Sequence, residues 1–203
     1  MKIAIIGVTG NAGSRIAAEA LRRGHTVTGI ARTADQSKAP AGVTLLAGDA
    51  AQPAQLAELI RGQDVVVSSA RFSTLKAATL LQGVKSAGVK RLLVVGGAAS
   101  LETAPGVTLL DSPDFPEQYK VEAVPGAQFL QDLRAETTTE WTFMSPPALF
   151  APGERTGKFR VGHNQLMADG QGNSHISMED YAIAMLDEIE QPKHLRQRFT
   201  VAY

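Results

Sequence analysis

The 203-residue chain contains no cysteine, and that one absence excludes disulfides, thiolate metal ligands, thiol nucleophiles and dithiol redox chemistry. Any oxidation or reduction it performs must therefore use a bound cofactor. A charge surplus is missing too: twenty basic and twenty acidic residues cancel to a formal net charge of zero. Nucleic-acid binders carry a basic excess, and here there is neither a polybasic run nor an acidic tail. Long apolar runs are also lacking. The opening run Ile3-Ala4-Ile5-Ile6 stops at Gly7, well short of a secretory h-region. No later stretch approaches the roughly 18 apolar residues that a membrane span needs. The four histidines, His25, His163, His175 and His194, share no metal-ligand spacing. Together these absences predict a soluble, cytoplasmic protein with no metal and no nucleic-acid or membrane partner.

What is present is a hydrophobic fraction of 44%, enough for one well-buried domain in a chain too short for two comfortable ones. Short β-branched runs alternate with segments of helical period. The pattern predicts strands over Lys2–Ile6, Thr26–Ala31, Val43–Ala47, Asp64–Ser69, Lys90–Val95, Trp141–Ser145 and Arg198–Ala202. It predicts helices over Asn11–Arg23, Pro53–Arg61, Thr74–Ala87, Tyr119–Ala135 and Ser177–Glu190. Gly24 and Gly88 fall where helices end. Ser177 with Asp180 reads as a capping box, and Pro125-Gly126 reads as an interruption or the true start of its helix. Glu102–Pro116 reads as a loop, and Phe150–Ser174 as a hairpin or excursion over the sheet edge. Such alternation implies an α/β fold of Rossmann type, a doubly wound and mainly parallel sheet with helices on both faces. The whole of 1–203 is expected to be one dinucleotide-binding domain with a substrate-side excursion around 146–176. Ligands in such folds bind beyond the carboxyl ends of the strands.

The segment Gly7-Val8-Thr9-Gly10-Asn11-Ala12-Gly13 stands at that end of the first strand. One glycine permits a tight turn, another lets backbone approach a pyrophosphate, and a third allows close helix–strand packing. The free N–H groups and dipole of the following helix then hold phosphate. The setting, with a strand before and a helix after, points to a nicotinamide dinucleotide bound by Gly7, Thr9, Gly10, Asn11, Ala12 and Gly13. In NAD-preferring folds an acidic residue about 20 positions further on binds the ribose 2′-hydroxyl. Here Arg32 stands nineteen positions after Gly13 and Asp35 lies in the loop beyond. A guanidinium suits a 2′-phosphate, so the reading favours NADPH, with NADH possible. A solvated surface arginine is the plain alternative for Arg32.

The spacing G-x-x-G-x-x-G resembles the atypical and extended branches of the short-chain dehydrogenase/reductase superfamily. The stretches Lys2–Gly10, Leu46-Ala47-Gly48-Asp49, Gly88–Gly97 and Ile176–Ala182 are similar to one subgroup of it. That subgroup holds proposed NAD(P)H-flavin reductases related to biliverdin reductase B and to NmrA-like proteins. The resemblance implies that Asp49 and Ala50 lie beside the adenine, and that Ser68, Ser69 and Ala70 follow the ribose and pyrophosphate. It also implies that Gly96 contacts the cofactor and that the backbone at Pro146 passes its nicotinamide end. Asp49 reads equally well as a turn residue after Gly48.

Most short-chain dehydrogenases use a tyrosine acid/base with a lysine four residues later, because a nearby cation favours the phenolate. This sequence has Tyr119 followed directly by Lys120, and Ala123 where the lysine would stand. Neighbours on a helix point about 100° apart, so Tyr119 and Lys120 cannot share a face. Alcohol–ketone chemistry or epimerisation by that route is disfavoured. Hydride transfer to a flavin, a quinone or another planar acceptor needs mainly stacking and orientation. Ser100, by resemblance to biliverdin reductase B-like proteins, with Tyr119 and Lys120 on the substrate side of the cleft, are the candidate catalytic residues. Arg155, Lys158 and Arg160 could meet an anionic flavin or present a solvated face. The expected function is NADPH-dependent reduction of a planar acceptor by a monomer or homodimer. The alternative is a non-catalytic dinucleotide sensor of NmrA-like type.

Overall fold

The β-branched runs become strands and the amphipathic segments become helices throughout the computed structural model, which describes all of residues 1–203. In chain order the elements are β1 (Lys2–Ile6), α1 (Asn11–Arg22), β2 (Thr26–Ala31), β3 (Thr44–Ala47), α2 (Pro53–Leu59), β4 (Val65–Ser68), α3 (Ala77–Ser86) and β5 (Arg91–Val95). Then follow β6 (Glu102–Ala104), β7 (Val107–Thr108), α4 (Lys120–Arg134), β8 (Glu140–Ser145), β9 (Leu149–Ala151), β10 (Arg160–Gly162), β11 (His175–Ser177), α5 (Met178–Glu190) and β12 (Gln197–Ala202). Eight strands form one sheet in the order β3-β2-β1-β4-β5-β8-β12-β10. All neighbours are parallel except the edge pair β10 and β12. This is the doubly wound α/β architecture. The helices α1 and α5 cover one face, while α2, α3 and α4 cover the other. No helix is long and apolar enough to cross a membrane.

Burial on both faces explains the continuous apolar strands. In β1, Ile3 and Ile5 join the core beneath α1 and α5, while Ala4 and Ile6 join the core beneath α3. In β4, Val65 and Val67 face one way and Val66 the other. Each fully buried Ile, Leu or Val of this kind contributes roughly 1.5–3 kcal/mol. Gly24 and Gly88 terminate α1 and α3 at φ +79° and +76°, a conformation that an L side chain resists.

Several expectations need correction. Pro125 neither breaks nor starts its helix; α4 runs through it from Lys120. The missing N–H costs one backbone bond, which the burial of Phe129, Leu130 and Leu133 against the sheet offsets. Glu102–Pro116 is not all loop, because β6 and β7 pair as a small antiparallel ribbon there. Phe150–Ser174 makes no hairpin of its own: β9 pairs in parallel with β11, and β10 joins the edge of the main sheet. The capping box forms by half. Ser177 Oγ accepts the Asp180 N–H at 3.0 Å, but the Asp180 carboxylate turns to Thr156, to the Gly157 N–H at 2.8 Å and to the Tyr203 hydroxyl at 2.8 Å. Asp180 thereby fastens the excursion to α5.

Glu19 of α1 makes a second fastening. Its carboxylate, 5% exposed, receives Arg22 at 2.6 Å, Arg23 at 2.8 Å and Arg155 of the excursion at 3.1 Å. Burial opposes its ionisation, yet the hydrogen bonds from Arg22, Arg155 and Arg23 outweigh burial and bring the pKa down to about 2. Because the folded value lies below the unfolded one, this stabilisation is complete above about pH 4.5 and fades as the pH falls toward 2. Glu19→Gln should lower stability at pH 7 by about 1–2 kcal/mol and reduce the acid sensitivity of the melting temperature between pH 5 and 2.5. Thermal melts of both proteins across that range measure it; equal slopes would remove Glu19 from the acid response.

Candidate functional site

The strand order reverses between β1 and β4, with β2 and β3 on one side and β5 and β8 on the other. Loops leaving β1 and β4 therefore diverge, and a crevice opens between them. Gly7 turns the chain out of β1 at φ +77°, its N–H still bonded to the Ile30 carbonyl at 2.9 Å. A β-carbon on Gly7 would lie 2.6 Å from the Ser69 carbonyl oxygen. One on Gly13 would lie 2.2 Å from the Gly7 carbonyl oxygen, so helix α1 packs directly on the turn. The cradle admits backbone only. Gly10 caps α1 without a side-chain bond, and no acidic residue occupies the first turn. The N–H groups of Asn11, Ala12 and Gly13 meet no protein acceptor. An exposed helix N-terminus of this kind attracts phosphate.

A groove of about 380 Å³ runs from this turn across the ends of β2 and β3. Gly7, Thr9 and Gly10 line one end, and Arg32, Asp49 and Ala50 the other. Arg32 is exposed and forms no ion pair, since the nearby Asp35 binds Ser37 and Lys38 instead. Its guanidinium is thus free for a ligand. Asp49 accepts the Ala51 N–H at 2.9 Å, so one carboxylate oxygen serves the turn that precedes α2. The turn role of Asp49 is therefore filled.

The groove meets a second cleft of about 390 Å³ at Ser69, Ala70 and Arg71, which line both. The cleft wall is largely apolar: Phe72, Val95, Leu109, Phe115 and Ala123 contribute, with Gly96, Ser100, Tyr119 and Glu122. Gly96 continues the ladder beyond β5 by bonding the Met144 carbonyl at 2.8 Å. A β-carbon there would collide with Phe143 at 2.4 Å. Tyr181 donates its hydroxyl to the same Met144 carbonyl at 2.5 Å and is fully buried, which drives its phenol pKa far up. It is a structural tyrosine.

The remaining candidates divide between the wall and its support. Ser100 faces the cleft, with its carbonyl held by Arg198 at 3.3 Å. Tyr119 also lines it and is 60% exposed. Lys120 does not line it and pairs with Glu117 at 2.7 Å, so tyrosine and lysine do not converge. Ser68 is buried in β4, and the wall begins one residue later at Ser69. Pro146 is buried, and Ala148 takes the place at the wall. Arg155, Lys158 and Arg160 form no cluster at the cleft. Arg155 binds Glu19, and Arg160 donates to the carbonyls of Ala168 and Tyr203, because the turn into the edge strand separates them. No three potential metal ligands come together; His25 bonds Glu190 and His194 bonds Glu188.

Sequence reasoning missed Arg71, Phe72 and Glu122. Arg71 continues Ser69-Ala70 by one residue and was within reach of the motif. Phe72 packs edge-on against Phe129 at 5.2 Å and stacked on Phe143 at 6.0 Å, over the bare backbone of Gly126. Glu122 accepts the Phe72 N–H at 2.9 Å and the Ser73 hydroxyl. These contacts span about fifty residues of chain and leave no local signal.

Fold and crevice together define a Rossmann-type dinucleotide-binding protein. The model of the NAD(P)H-binding family matches residues 7–192, and the chain belongs to that family. It is 48% identical to a proposed exported protein of Burkholderia pseudomallei, with full coverage of both chains and a TM-score of 0.90. A proposed epimerase of Bacteroides thetaiotaomicron shares 40% identity, with 100% of this chain and 96% of that one covered and a TM-score of 0.93. A proposed NADH-flavin reductase of Streptococcus pneumoniae shares 33% identity, 100% and 99% coverage and a TM-score of 0.88.

The glycine cradle is directly testable. Gly7→Ala should destabilise the fold by at least 1–3 kcal/mol, on the order expected from backbone strain alone, and abolish dinucleotide binding. Calorimetry and a denaturant titration measure both. Unchanged binding would mean that the turn does not contact the cofactor.

Proposed function

We propose that this protein is an NADPH-dependent reductase that passes hydride to a planar acceptor such as a flavin or a quinone. The observation that carries this reading is the continuity of the dinucleotide groove with an apolar, aromatic-walled cleft at Ser69-Ala70-Arg71. A cleft of about 390 Å³ falls within the roughly 300–1,000 Å³ typical of small-ligand sites. The likeness to a proposed NADH-flavin reductase supports the same reading.

The residues fit the cofactor. The unpaired N–H groups at the start of α1 would hold its pyrophosphate, and Gly7 and Gly13 leave it room. Arg32, without a carboxylate partner, would take the 2′-phosphate by a bidentate contact. Thr9, Asp49, Ala50, Ser69 and Ala70 would border the ribose and adenine. NADPH, when bound, supplies the hydride. Phe72, Phe115 and Tyr119 supply faces against which a planar acceptor stacks, and they exclude water from the transfer path. Ser100, fixed by Arg198, presents a hydroxyl able to hold a proton at the acceptor's edge. No positioned tyrosine–lysine pair exists to deprotonate an alcohol, which weighs against epimerisation through a ketone.

Mixing the protein with NADPH and FMN, FAD or a benzoquinone should give oxidation on the order of 1–10 turnovers per second, followed at the nicotinamide absorbance. Tight NADPH binding without oxidation by any planar acceptor would overturn the reductase reading in favour of a dinucleotide sensor. Arg32→Ala should raise the dissociation constant for NADPH by about 10–100-fold and barely affect NADH. Equal effects on both nucleotides would remove Arg32 from the 2′-phosphate.

A further inference from the structure

A polar pocket of about 290 Å³ opens where β8 and β12 begin, beside the last residue of α4. Trp141, Arg196 and Gln197 stand near the starts of these strands, away from the dinucleotide groove, while Arg198 reaches Ser100 behind the cleft wall. Three guanidiniums line it, those of Arg134, Arg196 and Arg198, with the amides of Asn164 and Gln197. No carboxylate belongs to its wall. Charges elsewhere are mostly matched: Arg15, Arg22, Arg23, Arg61, Arg91 and Arg155 all sit in ion pairs. Apart from Arg160, whose guanidinium donates to backbone carbonyls, the arginines without an ion pair are Arg32 and Arg71 in the dinucleotide groove and these three.

Two costs are concentrated here. Arg198 is only 6% exposed, yet its donors reach neutral acceptors alone: Asn164 Oδ1 at 2.9 Å, the Ser100 carbonyl at 3.3 Å and hydroxyls at 3.4 Å. Burial and the neighbouring Arg134 both lower its pKa, while Glu102 acts the other way from beyond ion-pair distance. A buried cation with no ion-paired carboxylate is unfavourable until an anion arrives. Arg196 is the only non-glycine residue with positive φ, at +54°, and its N–H is tied to the Trp141 carbonyl at 2.6 Å. Strained backbone of this sort is found at ligand clamps. We infer that the pocket binds a phosphoryl group, either as inorganic phosphate or as the phosphate end of a small ester. Guanidinium forks and amide donors match its oxygens, and a pocket of this size admits it with a few further atoms.

Trp141, the only tryptophan, lines the pocket, so its fluorescence reports on this site. Titrating the full chain with sodium phosphate, against sodium chloride at matched ionic strength, should give a saturable change with a midpoint on the order of 1 mM. Arg134→Ala combined with Arg196→Gly, which keeps the left-handed turn, should weaken it at least tenfold. Arg32→Ala should leave it unchanged, since that residue lies in the dinucleotide groove. Glycerol 3-phosphate binding more tightly than phosphate identifies an ester as the ligand; equal binding identifies the free oxyanion, and either supports the site. No saturable change beyond chloride, persistence in the double variant, or loss in Arg32→Ala would overturn it.

Discussion

Three backbone segments cross at van der Waals distance where β1 ends, and most of the molecule's chemistry follows from that crossing. The Gly7 carbonyl lies against the α-carbon of Gly13, and the Gly7 α-carbon against the Ser69 carbonyl. A single methyl group at either glycine would push α1 away from β1 or β1's loop away from that of β4. With α1 held this close, its free N–H groups open onto the crevice at the reversal of strand order. A dinucleotide bound as proposed would meet fixed backbone dipoles rather than flexible side chains. The groove toward Arg32 and the cleft toward Ser100 both start from this point.

The cleft walls are built differently. Each comes from an element held by a polar contact across many residues, and the contacts range from exposed to partly buried. Glu122 of α4 holds the loop after β4 through the Phe72 and Ser73 donors. Arg198 of β12 holds the loop after β5 through the Ser100 carbonyl. Asp180 and Glu19 hold the excursion onto α5 and α1. Charge-assisted bonds are stronger than neutral ones, so they help fix loops whose apolar residues, Phe72 and Leu101 among them, also pack on the core. The rigid turn would position the cofactor, while these tethers shape the cleft beside it.

On the proposed reductase reading, the cleft would need little acid–base machinery. Hydride delivery to a conjugated ring depends on distance and stacking more than on a tuned proton donor. An aromatic wall at Phe72, Phe115 and Tyr119 answers to that demand, and a lysine committed to Glu117 does not contradict it. Arg134 and Arg196 lie toward the starts of β8 and β12, away from the cleft, while Arg198 reaches from their pocket to Ser100 in the cleft wall.

Local patterning alone determined the order of strands and helices, the glycine turn, Arg32 at the end of β2 and the helix ends at Gly24 and Gly88. Each depends on residues a few positions apart, through backbone conformation or periodic burial, so a linear sequence contains it in full. The parallel sheet was legible for the same reason, because strands buried on both faces must be apolar throughout. Tertiary structure alone decided the rest. Pro125 stays inside α4 because the sheet rewards burial of Phe129 and Leu133, a gain invisible in the helix's own composition. Asp180 abandons its capping box for Thr156 and Tyr203, which only the folded excursion brings near. The pairing of Phe72 with Gly126 and Glu122, and the gathering of three arginines around Trp141, join segments far apart in the chain. Their energies arise from contact and desolvation, and neither exists until the chain has closed.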